Sequence, residues 1–280
     1  MRHILALVFI LTGSPSWAGE AEAASPLVIG ANAAGGLGAR LQFNRIETFG
    51  AWERSNADAT QGWTGTLYWG ARADGVWSSQ QDARNRAEAS LELGFGNDFE
   101  TARAIHGLTF AFDFKGQSGT FDAADGTSQS LNEYLYGPKV VYRLSWTTLS
   151  DFLQKYGNSL GEAPALTAGF YRKGGRTEAL VLPERLRADE LYAQFRFTTP
   201  VLPLPGSSRA GQAVVLSLLL QATRPLQGLN RSTAHFVDAT LTLNSGGTTR
   251  PAISYRSGEK DGLKYDRQLL FGLLWDLRAR

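Results

Sequence analysis

Alternation with a period of two residues, sustained over about ten residues and repeated along most of the chain, is the feature that most restricts what this sequence can fold into. Successive side chains of a strand point to opposite faces, so such a pattern sorts apolar from polar residues onto the two sides of a sheet. In His106–Lys115, Leu108, Phe110, Phe112 and Phe114 alternate with Thr109, Ala111, Asp113 and Lys115. In Arg84–Gly96, Ala87, Ala89, Leu91, Leu93 and Phe95 oppose Arg86, Glu88, Ser90, Glu92 and Gly94. The same reading gives strands over 63–74, 139–149, 164–173, 189–199, 212–223, 234–244, 249–257 and 267–277, with two weaker ones over 26–34 and 38–46. Only 150–157 (SDFLQKYG) reads as a short helix. The segment 116–138, rich in Gly, Ser and Asp, reads as a long polar insert between strands.

Composition narrows the class. With 43% hydrophobic and 19% charged residues the chain is not the polar, highly charged kind that stays disordered. Beyond the N-terminus no apolar run approaches the ~20 residues of a membrane-crossing helix. Residues 1–18 have the parts of a secretory signal: Arg2 and His3, the apolar run Ile4–Leu11, and small residues at Ser16 and Ala18. Cleavage is expected after Ala18, leaving 19–280 as the mature domain with one basic residue fewer, so that the net charge falls from +2 to +1. An exported chain with no Cys must be held by a large core or by a membrane. Near-neutral charge with no basic block leaves no electrostatic case for nucleic acid.

A soluble secreted sandwich or barrel also alternates, so strand length, charge and aromatics have to decide. Membrane strands need about 9–11 residues, whereas globular strands typically have about 5–6, and these are long. Charges fall in mid-strand, opposite the apolar face, as a hydrated lumen requires. Trp63, Trp69, Tyr142, Trp146, Phe170, Phe195, Phe197, Tyr255, Phe271 and Trp275 sit largely on the apolar face, several near strand ends, where girdles at a bilayer interface would lie.

With its export signal, long alternating strands, unequal polar loops and the amphipathic last strand Leu269–Leu277, the chain resembles the outer-membrane β-barrels of Gram-negative bacteria. The resemblance implies an all-β, transmembrane, antiparallel up-and-down barrel in the outer membrane, in contact with outer-membrane lipids. In that group the last strand serves as a signal to the barrel-assembly machinery; here it is followed by Arg278-Ala279-Arg280. The expectation is about ten to twelve strands. With both ends of the chain in the periplasm, the turn 245–248 falls inside and the insert 116–138 outside.

The chemistry expected of such a barrel lies in its lumen. Arg72, Arg86, Glu88, Glu92, Asp113, Arg143 and Arg196 are the candidate lining residues, part of a nearly balanced set that argues against strong ion selectivity. The reading is a monomeric, passive or weakly selective channel for a small polar solute. Tyr68, Tyr171 and Tyr192 also point inward, where a sugar-like solute would stack. The same charges could instead pair across strands and fill a narrow barrel. Two other readings are kept: a lipid-modifying hydrolase using His235 or His106 with Ser232, and a structural or adhesive barrel whose outer loops bind a partner. The local sequence Arg231–Phe236 does not match the Ser/His motifs of known outer-membrane hydrolases, so channel is preferred to enzyme. No cofactor is expected: there is no metal-binding spacing, and Gly35–Gly38 lacks the Gly-Lys-Ser/Thr of a phosphate loop.

Overall fold

The computed structural model of the protein describes residues 26–32, 36–55, 62–78, 86–101, 104–122, 127–146, 162–174, 188–203, 213–227, 232–244, 249–261 and 263–276. The proposed signal 1–18 and the proposed helix 150–157 lie outside these residues. The described chain is all strand: β1 (Pro26–Asn32), β2 (Leu37–Ser55), β3 (Gly62–Ser78), β4 (Arg86–Glu100), β5 (Ala104–Asp122), β6 (Ser128–Trp146), β7 (Glu162–Gly174), β8 (Glu190–Pro203), β9 (Ala213–Pro225), β10 (Ala234–Asn244), β11 (Thr249–Lys260) and β12 (Leu263–Asp276). Each strand pairs with its neighbours in sequence, and β1 pairs with β12, closing a twelve-strand barrel of up-and-down connectivity. Every pairing is antiparallel, from Pro26↔Asp276 at the closing seam onward. Closure leaves no sheet edge unpaired, the condition for placing strands in hydrocarbon.

The two faces sort as the alternation requires. Leu91, Leu93, Leu108, Phe110, Phe112, Phe114, Leu166, Ile253, Phe271 and Leu273 are exposed on the outer wall, while Arg40, Arg86, Glu92, Asp113, Lys115, Lys139, Asp238 and Arg256 are buried inside. This is a water-soluble protein turned inside out, stable only if lipid covers the outer face. Aromatic rings bound the apolar band. Toward one end lie His106, Phe99 and Tyr142, with ring centroids 6.5 Å and 6.2 Å apart, together with Trp52 stacked on Phe95 at 5.3 Å. Toward the other lie Phe114 and Tyr134, stacked at 5.8 Å, and Tyr136. From His106 to Gly116, which faces Tyr134, ten residue steps cover ~33 Å of strand, or ~25 Å of bilayer at a tilt of ~40°. The Tyr134 end is called outer and the His106 end inner below, following the orientation expected from the sequence.

Some segments expected to be links are strand, as 258–260 and 263–266 are at the ends of β11 and β12. The insert 116–138 is the upper part of the β5–β6 hairpin, which stays in register from Ala104↔Trp146 to Asp122↔Ser128. Beyond the Tyr134 belt no lipid imposes an apolar outer face, and the strict sorting lapses: Leu131 and Leu135 point inward, fully buried, on the same face as Glu133 and Gln117. The stretch between the strands expected over 38–46 and 63–74 is β2 as far as Ser55. A bulge between Thr48 and Gly50 shifts the register by one residue. It turns Trp52 to the outer wall, so the segment no longer continues the parity of 38–46.

Candidate functional site

The interior begins with four charges from four strands. Arg40 on β2 donates from Nη1 to Asp238 Oδ1 on β10 (2.9 Å) and from Nη2 to Asp238 Oδ2 (2.5 Å). Its Nη1 also reaches Ser254 Oγ at 2.8 Å. Arg256 on β11 donates from Nη2 to the same Asp238 Oδ2 (2.8 Å) and to Asp74 Oδ2 on β3 (2.6 Å). β2 and β10 are separated in the wall by β1, β12 and β11, so the fork of Arg40 spans the lumen rather than a strand pair. The space lined by Arg40, Val76, Ser254, Arg256, Gln268 and Leu270 is too narrow for a water molecule.

A second cluster crosses from β3 to β7. Glu92 accepts from Tyr68 Oη (2.5 Å) and Lys139 Nζ (2.6 Å), with Arg72 Nη2 at 3.6 Å. Lys139 Nζ lies 3.4 Å from Asp113 Oδ2, which accepts from Tyr171 Oη at 2.7 Å. Tyr171 in turn stacks on Tyr192 with centroids 4.6 Å apart, against Leu135. All three inward tyrosines are therefore engaged with protein groups and offer no free platform to a solute.

The third cluster spans the lumen toward the outer end. Beyond Arg256 a bulge, with Gly258 at φ +110°, bends the β11–β12 hairpin. A Cβ on Gly258 would lie 2.1 Å from the carbonyl oxygen of His235, so only Gly permits this path. The bend carries the Asp261 turn into the lumen, where its side chain is 1% exposed. Asp261 accepts from Lys115 Nζ on β5 through Oδ2, and from Gln221 Nε2 on β9 through Oδ1 at 2.8 Å. Its carbonyl accepts from Gln117 Nε2 at 3.1 Å, and neighbouring Lys260 Nζ bonds Glu88 Oε1 on β4 at 2.5 Å. β5 stands directly across the ring from β11, so the tip ties its own hairpin to the opposite wall.

Of the expected lining residues, Arg86, Glu92 and Asp113 are buried within the barrel, Glu88 joins the mouth cluster, and Arg72 pairs with Glu92. Arg196 shares its face with Tyr192 and Gln194 and is half-buried; Arg143 shares its face with Lys139 but is exposed, toward the inner end of β6. The decisive residues Arg40, Asp74, Lys139, Lys260 and Asp261 were not among the candidates. Asp74 and Lys139 follow from the parity of Arg72 and Val140, and that signal was available. Lys260 and Asp261 read as loop, and nothing local marks them.

His106 and His235 do not form one site. His106 Nδ1 lies 2.8 Å from Tyr142 Oη on the outer wall toward the inner end. His235 is exposed at the start of β10, toward the outer end, and among the described residues no hydrogen bond joins it to the exposed Ser232. A nucleophile needs its base within hydrogen-bond reach, and that pairing is not made. Among the described residues no group of three or more His, Cys, Asp or Glu could hold a metal ion.

A closed antiparallel barrel with an even strand number, an apolar exterior between aromatic belts and a charged interior is an outer-membrane-type β-barrel. No family model and no curated protein matches the chain. Among solved structures it is similar to the β domain of the Bordetella autotransporter BrkA, at 11% identity and a TM-score of 0.38, over 91% of this chain and 98% of that one. It is also similar to the translocator domain of the autotransporter NalP from Neisseria meningitidis, at 12% identity and a TM-score of 0.32, over 99% and 94%.

Proposed function

We propose that the protein is a weakly selective outer-membrane channel for small polar solutes whose resting state is closed. The observation that carries the reading is the Asp261 turn, folded inward over a glycine bulge and bonded to β5 and β9. A purely structural barrel would have no need to reach across its own mouth with a hairpin. The charges that fill the lumen come in both signs, which fits a pathway of weak selectivity once they are hydrated. Withdrawal of the tip leaves Lys115, Gln117, Gln221 and Glu88, with their remaining wall partners, to line the mouth.

Planar-bilayer recording tests this. The wild-type protein is expected to be silent for most of the record, with brief small openings, and Asp261→Ala to be open at least about tenfold more of the time, since it removes two charge-assisted hydrogen bonds. Silence in both proteins, in a barrel that still shows heat-dependent gel migration, would reject the channel and leave a structural barrel. A large steady conductance in the wild type would reject the closed resting state.

A further inference from the structure

The lipid-facing wall is not uniform. Over β6 to β9 an almost wholly apolar groove of about 430 Å³ opens on the outer surface, a volume in the range of small-molecule sites, ~300–1,000 Å³. Its floor is low because Ala168 pairs with Ala193, and Ala193 with Ala222. Its walls are Val140, Tyr142, Leu166, Phe195 and Leu220. On β4 and β5 the same wall carries Leu and Phe at mid-strand, as at Leu91↔Phe114 and Leu93↔Phe112. The gap lies on the lipid-facing wall between these larger side chains.

Three cationic or basic side chains stand at the outer end of this groove. Arg172 faces Tyr136 of the outer aromatic belt in the β6–β7 register, which sets it at headgroup level. Arg224 pairs with Leu191 in the row directly above the alanines, and His235 pairs with Ala222 and continues the alanine row onto β10. All three are exposed and lie between buried neighbours, so they point outward. Among the described residues neither guanidinium has an ion pair. Strand geometry puts Arg172 and Arg224 ~12 Å apart and Arg224 and His235 ~8 Å apart at Cα, within the combined reach of two arginines for one phosphate group. Asp189, just before β8 and beside Arg172, accepts from the backbone N–H of Lys173 at 3.2 Å and, among the described residues, makes no ion pair with either arginine.

We infer that this face binds one phosphorylated lipid of the outer leaflet, with an acyl chain in the groove over Ala168, Ala193 and Ala222 and the phosphate held by Arg172 and Arg224 beside His235. The inference needs only the barrel's place in a bilayer and is independent of whether the lumen conducts. Guanidinium forks match phosphate oxygens in pairs, and the interfacial setting strengthens the attraction relative to bulk water.

Native mass spectrometry of the purified full chain in a neutral detergent, with phosphatidic acid or phosphatidylcholine of the same chains added, reads the site directly. The expected result is one phosphatidic acid bound per protein, at least about tenfold preferred over phosphatidylcholine. The double variant Arg172→Gln with Arg224→Gln should abolish that preference, and Ala193→Leu, which fills the groove, should reduce binding of phosphatidic acid with the preference intact. Heat-dependent gel migration confirms that each variant is folded. Equal binding of the two lipids, or an unchanged preference in the double variant, overturns the headgroup site. Unchanged binding in Ala193→Leu, or displacement of phosphatidic acid by inorganic phosphate at equal concentration, overturns the acyl groove.

Discussion

Asp238, itself buried, accepts from two arginines, Arg40 and Arg256, that line a space too narrow for water. An ion pair in such a place is held less by its net worth than by the cost of breaking it, because the surviving charge cannot be resolvated. Asp238→Ala is therefore expected to lower stability by ~3–5 kcal/mol, whereas Arg40→Met combined with Asp238→Leu should fall near the wild type, since apolar replacement of a buried pair is often neutral. Urea titration of the folded gel band distinguishes the two; equal losses would show that the lumen at this level is wet. That Asp238 faces inward is legible from the alternation of β10. Its partner is not, because Arg40 lies 198 residues away and is brought near only by closure of the ring.

At the scale of the strand and the hairpin, small features redirect whole elements. Gly258 holds φ +110° and leaves no room for a Cβ, so Gly258→Ala is expected to straighten β11 and draw Asp261 out of the mouth. The measurable result is a rise in open time like that of Asp261→Ala, with little further change when the two are combined, because both act on one contact. Additive effects would mean that the tip does not gate. At the closing seam, Gly30 pairs with Gly272, and a Cβ on Gly30 would lie 2.0 Å from the carbonyl oxygen of Phe271. Strand existence was legible wherever lipid imposes an apolar outer face. It was lost above the bilayer, in 116–138, and across the bulge at Thr48–Gly50, where the constraint lapses or the parity shifts.

The molecule as a whole is stable only in the solvent that its outer wall demands. Leu93 is 63% exposed at the middle of β4, and Leu93→Arg is expected to cost ~2–4 kcal/mol in a bilayer. A soluble barrel would accept that change at an exposed site within about 0.5 kcal/mol; refolding into phosphatidylcholine vesicles against urea separates the two outcomes. Within the regular, lipid-covered parts of the strands the sequence alone determined which side of the wall a residue faces, because side-chain direction along an unbroken strand is a local matter of backbone geometry. It also determined the membrane-spanning class, since one face is too apolar for water and the other too charged for lipid. Only the tertiary structure decided which charges meet: pairs such as Arg40 with Asp238 and Lys115 with Asp261 are made between strands distant in the ring, and no periodicity within a strand carries that information. It alone decided, too, that the Asp261 turn lies inside the barrel, because a bend at one glycine sets the direction of a hairpin whose partners stand on the opposite wall.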